Sequence, residues 1–167
     1  ARVGRILRHR ETMLATGGYL GHMWELYAMW TWVPTFLAVA AAGSVAGVWI
    51  DVVAFVTIAV GGVGCVWGGL AADRIGRGTV VNVAMAVSGV CCLLAGFTLG
   101  APFSVVVLLT WVWGFFVVAD SAQFSAIVTE VAPPDSVGTA LMLQTSLGFL
   151  LTMVTIQAVP VAVETAG

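Results

Sequence analysis

Of the 167 residues, 60% are hydrophobic and 8% are charged, the formal net charge is −2, and the mean hydropathy is +1.07. That leaves too little polar surface to coat a water-soluble globule of this length. The composition excludes a soluble fold and points to a lipid bilayer as the solvent.

A hydrocarbon core of ~30 Å is crossed by about 20 apolar residues in a helix. Five runs of that kind follow one another, at Leu14–Ala42, Val52–Ala72, Thr79–Leu99, Pro102–Val128 and Val137–Val159. They lack the roughly 10-residue length and alternating polarity of barrel strands. The expected fold is therefore an all-α membrane protein with five transmembrane helices. A basic amphipathic lead-in over 1–13 precedes the bundle of 14–160, and an extracytoplasmic tail over 161–167 follows it.

All six basic residues are arginines. Arg2, Arg5, Arg8 and Arg10 precede the first run, and Arg74 and Arg77 sit in the turn after the second. With five spans these two places fall on one side. Basic residues in short loops mark the cytoplasmic side, so the N-terminus and the Asp73 turn are expected inside and the loops near Asp51 and Ala101 outside. This reads as a multi-pass protein of the cell inner (plasma) membrane. The arginines act as a topology anchor and not as a nucleic-acid arm.

Along the chain, Gly18, His22, Glu25, Met29, Trp32 and Phe36 share one side of the first helix. Glu25 lies about 16 Å in from Leu14, near the midplane, at 1.5 Å per residue. Pro34 predicts a kink in the outer half unless neighbouring helices relieve it. The second run carries Gly64 and Gly68 at GxxxG spacing, which predicts a close helix–helix approach. In the fourth, Thr110, Gly114, Ser121 and Ser125 line one stripe, and Trp113, Val117, Asp120 and Phe124 line another. Asp120 falls about 12 Å short of the inner end. Pro133, Pro134, Asp135 and Ser136 break the chain, with Asp135 or Ser136 placed to cap the last helix. Gln144 and Gln157 are that helix's polar members. Cys65, Cys91 and Cys92 lie within spans without metal-ligand spacing to His9 or His22 and read as buried packing residues, so no metal or cofactor is expected.

An ionisable side chain at membrane depth costs ~2.5–3.5 kcal/mol and asks for compensation. There is no Lys, and every Arg is outside the spans, so Glu25 and Asp120 have no cationic partner in a span. Protonation is one answer; a hydrogen bond to His22, Thr110 or Gln123 is another. A cation, a substrate or a residue of another half is a third. Trp32 and Trp113 share faces with the two carboxylates and are candidates to line a cavity, unless they only pack.

The stretch Gly69-Leu70-Ala71-Ala72-Asp73-Arg74-Ile75-Gly76-Arg77 resembles the loop motif of the major facilitator superfamily, G-x-x-x-D-[RK]-x-G-R. In that resemblance Gly69 lets two helices close, Asp73 offers a carboxylate to a helix N-terminus across the bundle, Arg74 and Arg77 hold the loop at the inner surface, and Gly76 makes the turn. The usual third basic residue is replaced by Gly78-Thr79, a weaker clamp. Residues 19–27 and 119–124 further resemble bacterial permeases of the superfamily. The resemblance implies the C-terminal half of the bundle, spans seven to eleven, with the N-terminal six-helix half of the same polypeptide missing. A start at Ala1 without Met suits such a piece.

It also implies secondary active transport of a small solute by alternating access, coupled to protons. His22, Glu25, Asp120, Trp32 and Gln123 are then the substrate or proton groups, and Gly69, Asp73, Arg74, Gly76 and Arg77 the conformational latch. A non-transporting membrane subunit is the alternative. An intramembrane enzyme is not expected, because no HExxH, GxSxG or paired-aspartate arrangement is present.

Overall fold

The computed structural model describes residues 2–166, and side chains for 3–165. Ala1 and Gly167, at the outer ends of the expected lead-in and tail, and the side chain of Arg2 lie outside the described residues. Among the described residues the chain is helical without a strand. The helices are α1 (Arg2–Arg8), α2 (Arg10–Ala41), α3 (Gly47–Ile75), α4 (Arg77–Ala95), α5 (Phe103–Ala119), α6 (Ser121–Val131) and α7 (Val137–Ala166), with 3-10 turns at Gly96–Thr98 and Pro134–Ser136.

Four stretches are long and apolar enough to cross a membrane: Gly47–Ile75, Arg77–Thr98, Phe103–Val131 and Pro134–Thr165. The first of the five expected spans, Leu14–Ala42, is helical as far as Ala41 within the 32-residue α2, but α2 is not among these four. Its first half carries Arg10, Glu11, Thr12, Thr16, His22 and Glu25, which lower its apolar content. The protein is thus all-α and of membrane type.

Burial confirms the solvent by its polarity. The buried stripe of α3 is Ala54, Thr57, Gly61, Gly64, Gly68 and Ala72, all small or polar. Its exposed face carries Trp49, Val52, Phe55, Val63, Val66 and Leu70. α7 repeats the inversion, with Ala140, Gln144, Gly148, Thr152 and Thr155 inside and Met142, Phe149, Leu150 and Met153 outside. Phe97 is 84% exposed and Leu93 74%. Such faces are unfavourable in water and at home in hydrocarbon.

Three boundaries differ from expectation. Asp51, placed in a loop by its charge, lies in α3, and the loop is instead 42–46. Asp51 is exposed, so the helix that carries it does not bury its charge. The fourth span breaks at Asp120, whose φ of −95° and ψ of −7° end α5 before α6 starts. No proline stands there to announce it. Finally, α7 runs on through Pro160 to Ala166, so the expected tail is helical over 161–166. The cysteines also divide: among the described residues none is in a disulfide, Cys91 is buried and Cys65 half-buried, but Cys92 is exposed. Neighbours on a helix point about 100° apart, and the packed face of α4 takes Cys91 and leaves Cys92 outside.

The chain divides into two compact units, Met29–Asp120 and Ala1–Ala28 with Ser121–Gly167. Within the first, α3 packs on α5, and both pack on α4. The α3–α5 contact is backbone on backbone. A Cβ added to Gly64 would strike the Phe115 carbonyl oxygen, one on Gly68 the Ala119 carbonyl oxygen, and one on Gly114 the Thr57 carbonyl oxygen. The Gly64/Gly68 expectation holds, and Gly114 is its counterpart on α5. At this separation Cα–H groups meet carbonyl oxygens, a weak attraction repeated along the seam. Beside it Thr57 Oγ1 donates to Thr110 Oγ1 at 3.4 Å, and Thr110 donates to the Val107 carbonyl at 2.9 Å. Trp67 closes one side of the seam against Phe115 and Phe116, with ring centroids 5.6 and 5.7 Å away.

In the other unit α1 and α6 pack on α7. Ile6, 1% exposed, joins Val128, Ala132 and Ala140 in a buried cluster. Arg5 Nη1 donates to Asp135 Oδ2 at 2.5 Å between two exposed side chains, and Ser136 Oγ donates to Asp135 Oδ1 at 3.3 Å. The carboxylate expected to cap α7 is engaged by α1.

The seam sets the first test. Gly64→Ala, Gly68→Ala and Gly114→Ala should each destabilise by about 1–3 kcal/mol, since backbone has to move to admit the methyl group. Gly62→Ala and Gly69→Ala, whose Cβ positions are open, should be neutral or stabilising by up to ~1 kcal/mol. Thermal melting of the detergent-solubilised variants separates the two sets.

Candidate functional site

The unit built from Ala1–Ala28 and Ser121–Gly167 holds three of the five expected solute or proton groups, His22, Glu25 and Gln123. His22, 3% exposed on α2, shares a hydrogen bond between Nε2 and Ser121 Oγ at 3.0 Å. Its ring also lies on Phe124, with centroids 5.4 Å apart. Tyr19 completes the aromatic group, 6.2 Å from His22 and 6.1 Å from Phe124. Small residues make the room. A Cβ on Gly18 would sit 2.9 Å from Phe124 Cε1, and one on Gly148 2.5 Å from Tyr19 Cε1. Gly18 therefore admits α6, and Gly148 admits Tyr19 to the face of α7. Gln123 is buried on α6 next to Phe124 in sequence. Glu25, one turn beyond His22, is half-buried.

A residue outside the expected set completes this unit's polar interior. Gln144 on α7 is 1% exposed, and neither its amide oxygen nor its amide nitrogen has a hydrogen-bond partner among the described residues. It occupies the same stripe as Ala140 and Gly148, one turn from each. One of these neighbours packs with Ile6 and the other with Tyr19 and Met23. Its signal in the sequence is a polar residue set four from a small residue on either side. Ser121, on the stripe with Thr110, Gly114 and Ser125, is likewise missed as a site residue.

The unit Met29–Asp120 holds Trp32, Asp120 and the loop motif. Trp32 is half-buried, and its Nε1 is buried without a partner among the described residues. Asp120 is 2% exposed at the end of α5. Thr110, a possible partner for the carboxylates, bonds instead to Thr57 and Val107. In the motif, Gly76 alone joins α3 to α4. Its φ of 85° with ψ of 146° suits only glycine, and its N–H bonds to the Ala72 carbonyl at 3.0 Å. Asp73 and Arg74 are exposed and Arg77 half-buried. The Cβ position of Gly69 is open, and the close helix approach falls one residue earlier, on Gly68.

Among the described residues no group of three or more His, Cys, Asp or Glu side chains is placed to hold a metal ion. No family model, curated protein or solved structure matches the chain.

A buried amide without partners loses its water bonds and regains nothing, at about 1–3 kcal/mol. Gln144→Leu, of similar volume, should therefore raise the melting temperature by a few degrees. Ser121→Ala, which removes the hydrogen bond between Ser121 and His22, should lower it by a similar amount. A lower melting temperature for Gln144→Leu would show that the amide is satisfied by bound water.

Proposed function

We propose that the chain belongs to a secondary active transporter of a small solute, in which His22, Glu25 and Gln123, with Asp120 and Trp32, are the solute or proton groups. The observation that carries this reading is Gln144, a fully buried amide with no partner among the described residues, in a helix whose outer face is apolar. A membrane helix needs no such group for packing, since its neighbours on the stripe are small and the site is costly. An amide that both donates and accepts suits a polar solute passing between helices.

In this reading α2 is a fifth span. Its polar first half is acceptable because His22 and its neighbours face protein and not lipid. The arginines set the N-terminus and the Gly76 turn at the cytoplasmic side of the inner membrane. The loop Gly69–Arg77 then serves as the latch of a major-facilitator-like bundle. Its exposed Asp73 is available to a helix end in the N-terminal six-helix half of the same polypeptide, and Arg74 and Arg77 lie at the surface. Protons enter through Glu25, the acidic group one turn from the buried imidazole.

The test is flux through the full-length protein in proteoliposomes, with a pH dye inside and a panel of small organic acids, amino acids and sugars outside. At least one solute should move with protons. Glu25→Gln should reduce that uptake ten-fold or more, the usual scale for loss of a proton-transfer group. Uptake unaffected both by Glu25→Gln and by a protonophore defeats the coupling assignment. A folded, inserted protein that moves nothing on the panel favours the non-transporting subunit.

A further inference from the structure

Helix α1 is too short to be stable alone, and its docking fixes where it lies. Ile6 packs with Val128, Ala132 and Ala140. These three flank the turn through Pro133 and Pro134 between α6 and α7, where the apolar stretches Phe103–Val131 and Pro134–Thr165 meet. α1 is thereby held at the end of two spans, at the depth of lipid headgroups.

Its outward faces fit that depth. Val3 and Leu7, four residues apart on one side, are 47% and 52% exposed. Around the helix from them, Gly4, Arg5, Arg8 and His9 line an open groove of about 570 Å³. Arg5 is held on its flank by Asp135. Arg8 is exposed and makes no ion pair among the described residues. His9 has its ring fixed at the start of α2: Nδ1 accepts the Thr12 N–H at 3.4 Å and meets Thr12 Oγ1 at 2.9 Å. With Nδ1 accepting, the neutral ring carries its proton on Nε2, and the groove gains a third donor. The acidic side chains on the elements packed here are Glu11, exposed in the first turn of α2, Glu130, exposed near the end of α6, and Asp135, engaged by Arg5.

We propose that this groove binds the headgroup of an anionic phospholipid, with Arg8, Arg5 and His9 around the phosphate and Val3 and Leu7 against the acyl chains. The missing glycine side chain at Gly4, whose Cβ position is open, leaves space beside Arg8 on this face. Arginine suits phosphate because its planar fork donates two bonds at once. This inference needs the membrane setting but not the transport reading, so the two stand or fall separately.

The test uses the purified full chain in neutral detergent, titrated with phosphatidylglycerol or phosphatidylcholine and read by native mass spectrometry. Phosphatidylglycerol should be retained ten-fold or more over phosphatidylcholine. Arg8→Gln should weaken that preference about five-fold, the scale for one surface arginine against an anionic bilayer. Arg8→Lys should keep most of it. Arg74→Gln with Arg77→Gln, the other basic cluster, should leave it unchanged. Melting curves check that Arg8→Gln is folded, as its exposure predicts. Equal retention of both lipids, or an equal loss from the Arg74/Arg77 pair, overturns the site. Displacement of phosphatidylglycerol by millimolar inorganic phosphate would also overturn it, by showing a free-anion site.

Discussion

In hydrocarbon there is no hydrophobic force to draw one helix onto another, because lipid tails are as apolar as leucine. What remains is close packing and the few polar contacts that lipid cannot offer. The α3–α5 seam meets this constraint with glycine. Gly64 and Gly68 face carbonyl oxygens of α5, and Gly114 answers with its own open Cα toward Thr57. Each approach brings two backbones into dispersion contact and places weakly polar Cα–H groups on acceptors. The apolar bulk of Phe55, Val63 and Leu70 is left outside, where it costs nothing. The interior is therefore small and polar, the reverse of a soluble core.

That inversion explains what the sequence discloses. Gly64 and Gly68 are legible because a four-residue spacing of small residues has one main use in an apolar helix. Gly76 is legible because a turn between two long runs needs a residue free of Cβ strain. Gly114 is visible as one of a stripe but not as their partner, since one-dimensional spacing does not say which helices meet. Asp51 misleads because a charge in apolar sequence suggests a loop, although an exposed carboxylate can be carried on a helix. The contact of His22 with Ser121 joins positions 99 apart and has no local trace. Gln144 is visible as polar, but its isolation depends on what surrounds it in three dimensions.

The two units use their buried polar groups differently. Thr57 and Thr110 are satisfied by each other and by the Val107 carbonyl, so they add to the seam and offer nothing outward. His22 is held on one ring nitrogen by Ser121 and steadied by Phe124 and Tyr19, which leaves its orientation fixed. A side chain whose orientation is already fixed has little rotamer entropy left to lose. Gln144 goes further, with all of its amide capacity unspent among the described residues. The seam unit thus settles its buried threonines internally, and the other unit carries a buried amide that is not settled in that way.

Asp120 shows why the break between α5 and α6 matters. In an unbroken helix its carboxylate would stand in the middle of a span, with every neighbouring N–H already bonded along the axis. The interruption places it instead at the C-terminal end of α5, where its φ of −95° and ψ of −7° close the helix. The same break ends α5 at Ala119, whose carbonyl lies against Gly68 and so stays on the close-packed seam. The break thus falls just past the last glycine contact of the seam, and α5 keeps its close-packed face up to that point.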